Sequence, residues 1–63
     1  MIDVTHEMQI SMNFGKVYII QCRCGFRPIK KEQIIELHQD KYSVCGGCGK
    51  EFKFKMEVFE KEN

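Results

Sequence analysis

Four cysteines, divided between Cys22-Arg23-Cys24-Gly25 and Cys45-Gly46-Gly47-Cys48-Gly49, constrain this chain more than any other feature. One residue separates the first pair and two separate the second, and a glycine follows each. At 63 residues the chain can bury only a modest core, and chains of this size are commonly stapled by a metal, by disulfides or by a partner. Structural zinc sites take four protein ligands in a tetrahedron, and two close thiol pairs supply that set with each pair nearly preformed. The expectation is one Zn2+ held by Cys22, Cys24, Cys45 and Cys48. In the second pair the glycines let the backbone curl around the metal and turn N–H groups toward sulfur. In the tighter first pair Gly25 relieves the turn.

Other uses of four thiols exist. A disulfide framework belongs to oxidising compartments, and the N-terminal MIDVTHEMQI has no basic start followed by an apolar stretch, so it does not read as a signal peptide. A cytoplasmic, reducing setting is the default expectation. Buried thiols without a ligand are a further alternative, because cysteine packs as a small apolar residue. His6 and His38 fall on faces expected to point inward, and four thiols already complete the shell without them.

Composition places the chain among ordinary soluble globular domains, with 43% hydrophobic and 30% charged residues. No apolar run approaches the roughly 20 residues of a membrane span. The formal net charge is +1, but the charges are unevenly placed. Arg23, Arg27, Lys30 and Lys31 lie within 22–31 with no acid among them, and Lys41, Lys50, Lys53 and Lys55 lie within 41–55 beside Glu51 alone. The last stretch carries Glu57, Glu60 and Glu62 against Lys61.

Periodicity predicts a small β fold. From His6 to Phe14 every second residue is His6, Met8, Ile10, Met12 or Phe14, which is the signature of a strand with one inward face. Gly15 supplies a turn, and VYII at 17–20 reads as the antiparallel partner strand. KKEQIIELHQ at 30–39 reads as a short helix, with Ile34, Leu37 and His38 at i, i+3 and i+4. DKYSV returns as a strand, and EFKFKMEVF at 51–59 alternates again with Phe52, Phe54, Met56 and Val58 inward. The expected fold class is a small zinc-stabilised β domain covering residues 1–63, a zinc ribbon: a three- to four-stranded antiparallel sheet with one short inserted helix. No repeat, linker or low-complexity segment interrupts it.

The outline YIIQCRC, an intervening helix at 30–39, and VCGGCGKEFKF resembles the C-terminal zinc domain of the redox-switched holdase chaperones. The resemblance covers residues 17–56. It implies Cys22, Cys24, Cys45 and Cys48 as zinc ligands and the zinc-ribbon class as the fold. Members of that class bind nucleic acid or the proteins of transcription and replication. The large substrate-binding domain of the chaperones has no counterpart in these 63 residues. The size also suits a phage-encoded or small bacterial accessory protein.

Three functional readings follow. The first is a non-enzymatic binding module that docks on a protein, with Phe26, Tyr42 and Phe59 as aromatics lacking an evident core role. The second is direct nucleic-acid binding, with Arg23, Arg27, Lys30, Lys31, Lys50, Lys53 and Lys55 as a basic surface and Phe26 stacking on a base. A sequence pI near 7.7 is well below that of a typical nucleic-acid-binding domain. The third is a redox sensor that releases zinc on oxidation. No nucleophile–base pair or phosphate loop stands out, and four cysteines leave zinc no open position, so no enzyme is expected. Unpaired sheet edges at 6–14 or 51–59 make a homodimer a further expectation. The first reading places the binding surface beside the tight turn, at Arg23 and Phe26.

Overall fold

The computed structural model describes residues 2–62. Its strands are β1 (Ile2–Asp3), β2 (Gln9–Asn13), β3 (Lys16–Gln21), β4 (Ile35–Leu37), β5 (Ser43–Val44), β6 (Glu51–Lys55) and β7 (Glu57–Glu60). They form two antiparallel sheets, one in the order β1-β7-β6-β5 and one in the order β2-β3-β4. Two short 3₁₀ turns, Thr5–Glu7 and Lys31–Gln33, are the helical segments among the described residues. None of these is long and apolar enough to cross a membrane.

The β2–β3 hairpin forms where the alternation and Gly15 place it. Asn13 pairs with Lys16, which leaves Phe14 and Gly15 as a two-residue loop with φ of 52° and 74°. Both central residues are left-handed, the geometry that matches the twist of the flanking strands. The regular part of the first strand is shorter than its sequence pattern. Residues Thr5–Glu7 turn, Phe14 sits in the loop, and His6 is exposed rather than inward.

The helix expected over 30–39 is replaced by the turn at Lys31–Gln33 followed by β4. Ile35 and Leu37 are both buried and lie opposite Ile19 and Val17, while Ile34 is exposed. Period two over Ile35-Glu36-Leu37 therefore prevails over the helical spacing of Ile34, Leu37 and His38. The free edge of β3 supplies the hydrogen bonds that a helix would have made internally. Gln33 organises the preceding loop, its Oε1 accepting the N–H groups of Ile29 at 3.1 Å and Lys30 at 3.0 Å.

The segment 51–59 is a hairpin and not one strand. Met56 takes φ 66° at its apex, and Phe54 pairs with Val58 and Phe52 with Glu60. The reversal is centred on a residue, so the alternation stays in phase through it: Phe52, Phe54, Val58 and Glu60 share the inner face, and Met56 points into solvent. The outer face carries Lys53 opposite Phe59, with Lys53 and Lys61 ammonium groups 4.9 and 5.4 Å from the Tyr42 ring centre.

The two sheets share one cluster of buried side chains, with Met8, Ile19, Ile35 and Leu37 from one side meeting Val4, Phe52 and Val58 from the other. Cys22 and Cys45 belong to this cluster. At the seam, the Phe54 N–H donates to the His38 carbonyl at 3.2 Å, and the Ser43 hydroxyl donates to the Glu36 carbonyl. Strand β3 ends at Gln21 and β5 at Val44, and each leads directly into a cysteine pair.

Candidate metal centre

The two cysteine turns are built alike. In the first, the Cys22 N–H donates to the Phe26 carbonyl and the Gly25 N–H to the Cys22 carbonyl, both at 2.9 Å. In the second, the Cys45 N–H donates to the Lys50 carbonyl at 2.9 Å and the Gly49 N–H to the Cys45 carbonyl at 3.0 Å. Gly25 and Gly49 close the turns with φ of 95° and 73°, a region open to glycine at little strain. The one-residue difference in spacing is absorbed inside this common frame.

The turns face each other with their sulfurs converging. Cys22 Sγ lies 3.9 Å from Cys48 Sγ, and Cys24 Sγ lies 3.8 Å from Cys45 Sγ. All four sulfurs fall within 4.8 Å of one another. A tetrahedron of sulfurs at the zinc–sulfur distance of about 2.3 Å has edges of about 3.8 Å. These four cysteines are thus positioned to bind a metal ion. All are free thiols, and neither histidine belongs to the cluster.

The environment differs between the first and second cysteine of each turn. Cys22 and Cys45 are buried in the shared core, and Cys24 and Cys48 are exposed. Burial pushes the Cys22 thiol up to about 12 and also raises Cys48. The Phe26 backbone N–H brings Cys24 down to about 7. The Cys24 and Lys50 N–H groups favour the thiolates of Cys22 and Cys48 in the same way, and the Gly47 N–H donates to Cys45 Sγ at 3.3 Å. Each sulfur therefore has the N–H of the residue two positions on, a set of dipoles suited to anionic sulfur around a cation.

Two residues brace the first turn from outside it. Met8, buried, presents Sδ 3.2 Å from the Arg23 N–H. Glu60 is the single charged side chain buried among the described residues, and its Oε1 lies 2.6 Å from Arg23 Nη2. That oxygen makes no hydrogen bond of good geometry, so the guanidinium is its electrostatic partner. Glu7 approaches the same guanidinium at 3.7 Å. Glu60 was legible as one further step of the inner-face alternation, two residues beyond Val58.

The residues expected to form a binding surface stand in different settings. Arg23 is engaged with Glu60 and Glu7. Phe26 is half-buried, packs against the core cluster and lies over Gly46 and Gly47. Arg27, Lys30 and Lys31 are exposed on the loop leading to β4, and Lys50 is exposed at the end of the second turn. Lys53 lies on the outer face of the other sheet against Tyr42.

Compared with known proteins, the chain matches no family model, no curated protein and no solved structure. The holdase resemblance therefore rests on the cysteine spacing and flanking strands alone, since the helix between them is absent.

Proposed function

We propose that this chain is a zinc-ribbon binding module: one Zn2+ on Cys22, Cys24, Cys45 and Cys48 fixes the fold, and the folded surface docks on a protein partner. The observation that carries the metal reading is the closed tetrad of sulfurs with cross-turn separations of 3.8 and 3.9 Å. An all-thiolate tetrahedral set selects zinc among the common redox-inert divalent ions. With four protein ligands the shell has no place for water or substrate, so the role of the ion is structural and the module is not an enzyme. A reducing, cytoplasmic setting keeps such thiols available for metal.

Protein docking is favoured over nucleic-acid binding by the fate of the basic residues. Arg23 is tied to Glu60, and Lys53 rests on Tyr42, so two members of the expected basic surface already have partners within the fold. The reading is tested with the zinc-loaded chain as bait, washed at about 0.5 M salt after nuclease treatment, followed by reconstitution with the purified captured protein. One zinc per chain and a binary complex that survives the salt are expected. Retention of nucleic acid alone, lost steeply with salt, would sink protein docking. A zinc content far from one per chain would sink the metal reading.

A further inference from the structure

Strand β3 is apolar on both of its faces, and only one of them meets the core. Val17 and Ile19 pack inward, whereas Tyr18 and Ile20 look out from the other side of the three-stranded sheet. A strand that is apolar on both faces is normally covered on both. Here the outer side forms a concave groove of about 360 Å3, with Tyr18, Ile20, Ile34 and Pro28 as its apolar lining and Ser11 on the β2 side. Ile20 is 41% exposed and Ile34 54%.

The register also slips here. Gln9 pairs with Gln21 and Ile10 with Ile19, which leaves Ile20 without a cross-strand partner. A bulge of this kind re-aims a side chain. Arg27 is the one charged residue lining the groove, and it has no ion-pair partner among the described residues.

We infer that this groove docks a peptide segment of the partner protein in which an apolar side chain stands next to a carboxylate: the apolar side chain sits on Ile20, Ile34 and Pro28, and the carboxylate meets Arg27. The inference rests on the protein-docking reading and moves its surface away from the cysteine turn, where Arg23 and Phe26 are already engaged. A cavity of this volume takes one or two side chains. Its floor is mainly aliphatic, unlike the aromatic platforms that hold single-stranded nucleic acid. The unpaired guanidinium supplies charge complementarity for an acid.

The test is selection from a random peptide display library on the zinc-loaded full chain, followed by titration of the enriched peptides against its backbone amides. Enriched sequences are expected to pair an apolar residue with Asp or Glu and to shift the amides of Ser11, Tyr18, Ile20 and Ile34. Arg27→Glu and Ile20→Glu are each expected to weaken binding by about tenfold or more. Lys55→Glu, an equal charge change on β6, is expected to leave it unaltered. Amide spectra and zinc content confirm that each variant is folded.

Failure to enrich any peptide, enrichment without acids, or indifference to Arg27→Glu would each overturn the groove. So would an oligothymidine shifting the same amides, which assigns the groove to nucleic acid. A concentration-dependent rise in mass abolished by Ile20→Glu overturns it in favour of a second copy of the chain. Peptides that bind but ignore both groove variants remove the groove and leave protein docking standing. Failure of the bait experiment removes docking itself.

Discussion

Phe26 occupies the space that a side chain on Gly47 would need. A Cβ at Gly47 would stand 2.5 Å from the Phe26 Cβ and 2.9 Å from its Cγ, whereas one at Gly46 would meet only the ring tip, at 3.4 Å. The glycine of the second cysteine turn is thus matched to the aromatic that follows the first, and the two halves of the metal centre pack directly on each other. The contact involves the fixed root of the Phe26 side chain, which cannot swing away.

Gly47→Ala is therefore expected to destabilise the zinc-loaded fold by about 1–3 kcal/mol, the usual range for overpacking. Gly46→Ala is expected to be the milder of the two. Adding Phe26→Ala to Gly47→Ala should recover part of the loss, giving a non-additive pair in a double-mutant cycle. Thermal midpoints and zinc competition with a chromophoric chelator read both quantities. Equal effects of the two alanines would show that the Phe26 contact does not constrain the turn.

The Arg23–Glu60 pair makes an asymmetric prediction. Arg23 is about a third exposed, with side-chain accessibility of 32%, and Glu60 is nearly closed off at 6%. Arg23→Gln leaves a buried carboxylate without its cation, which costs about 3–5 kcal/mol in comparable sites. Glu60→Gln leaves a guanidinium that can turn to water or to Glu7, and is expected to cost about 1–2 kcal/mol after allowing for solvent screening. Denaturant midpoints of the two variants decide the order. If Arg23→Gln left stability intact, the pair would be a surface contact, and Arg23 would return as a candidate for partner binding.

What could be read from the sequence was local. The cysteine set, the β2–β3 hairpin and the inward residues Met8, Phe52 and Val58 all follow from spacing and alternation. The hairpin at Met56 was hidden because a reversal centred on one residue preserves period two, so nothing in the pattern marks it. Strand β4 was hidden because Ile34-Ile35-Glu36-Leu37 satisfies both periods, and a long-range partner, the edge of β3, decides between them. The engagement of Arg23 was equally invisible, since its partner lies 37 positions further along the chain, at Glu60.

Two apices place non-glycine residues in left-handed backbone, Phe14 at φ 52° and Met56 at φ 66°. Phe14 is 94% exposed, so its ring contributes almost no burial to offset that conformation. Phe14→Asn converts the loop to Asn-Gly, the favoured pair for a two-residue turn of this geometry. A gain of about 0.5–1 kcal/mol is expected, read as a rise in thermal midpoint of about 2–8 °C. Met56→Gly should act in the same direction. A lowered midpoint in Phe14→Asn would mean that the exposed ring has a packing role elsewhere.

The four ligand positions are expected to differ, although each variant removes one sulfur. Cys22 and Cys45 are 2% and 1% exposed and belong to the core, so a serine there loses a ligand and also buries a hydroxyl. Cys24 and Cys48 face water, and their serine variants lose the ligand alone. Cys22→Ser and Cys45→Ser should therefore be unfolded with or without zinc, while Cys24→Ser and Cys48→Ser should retain weakened, partly folded zinc complexes. The sign with pH follows from the ligand chemistry: zinc binds thiolates, protons compete for the same sulfurs, and affinity falls as pH falls. Acidification should release zinc and melt the sheets together, at a pH above the ordinary carboxylate range of about 4. Excess chelator at neutral pH should do the same, since zinc contributes on the order of 10 kcal/mol in such sites. Circular dichroism with a zinc-release dye measures both signals in one titration, and full strand signal after complete zinc release would overturn the staple.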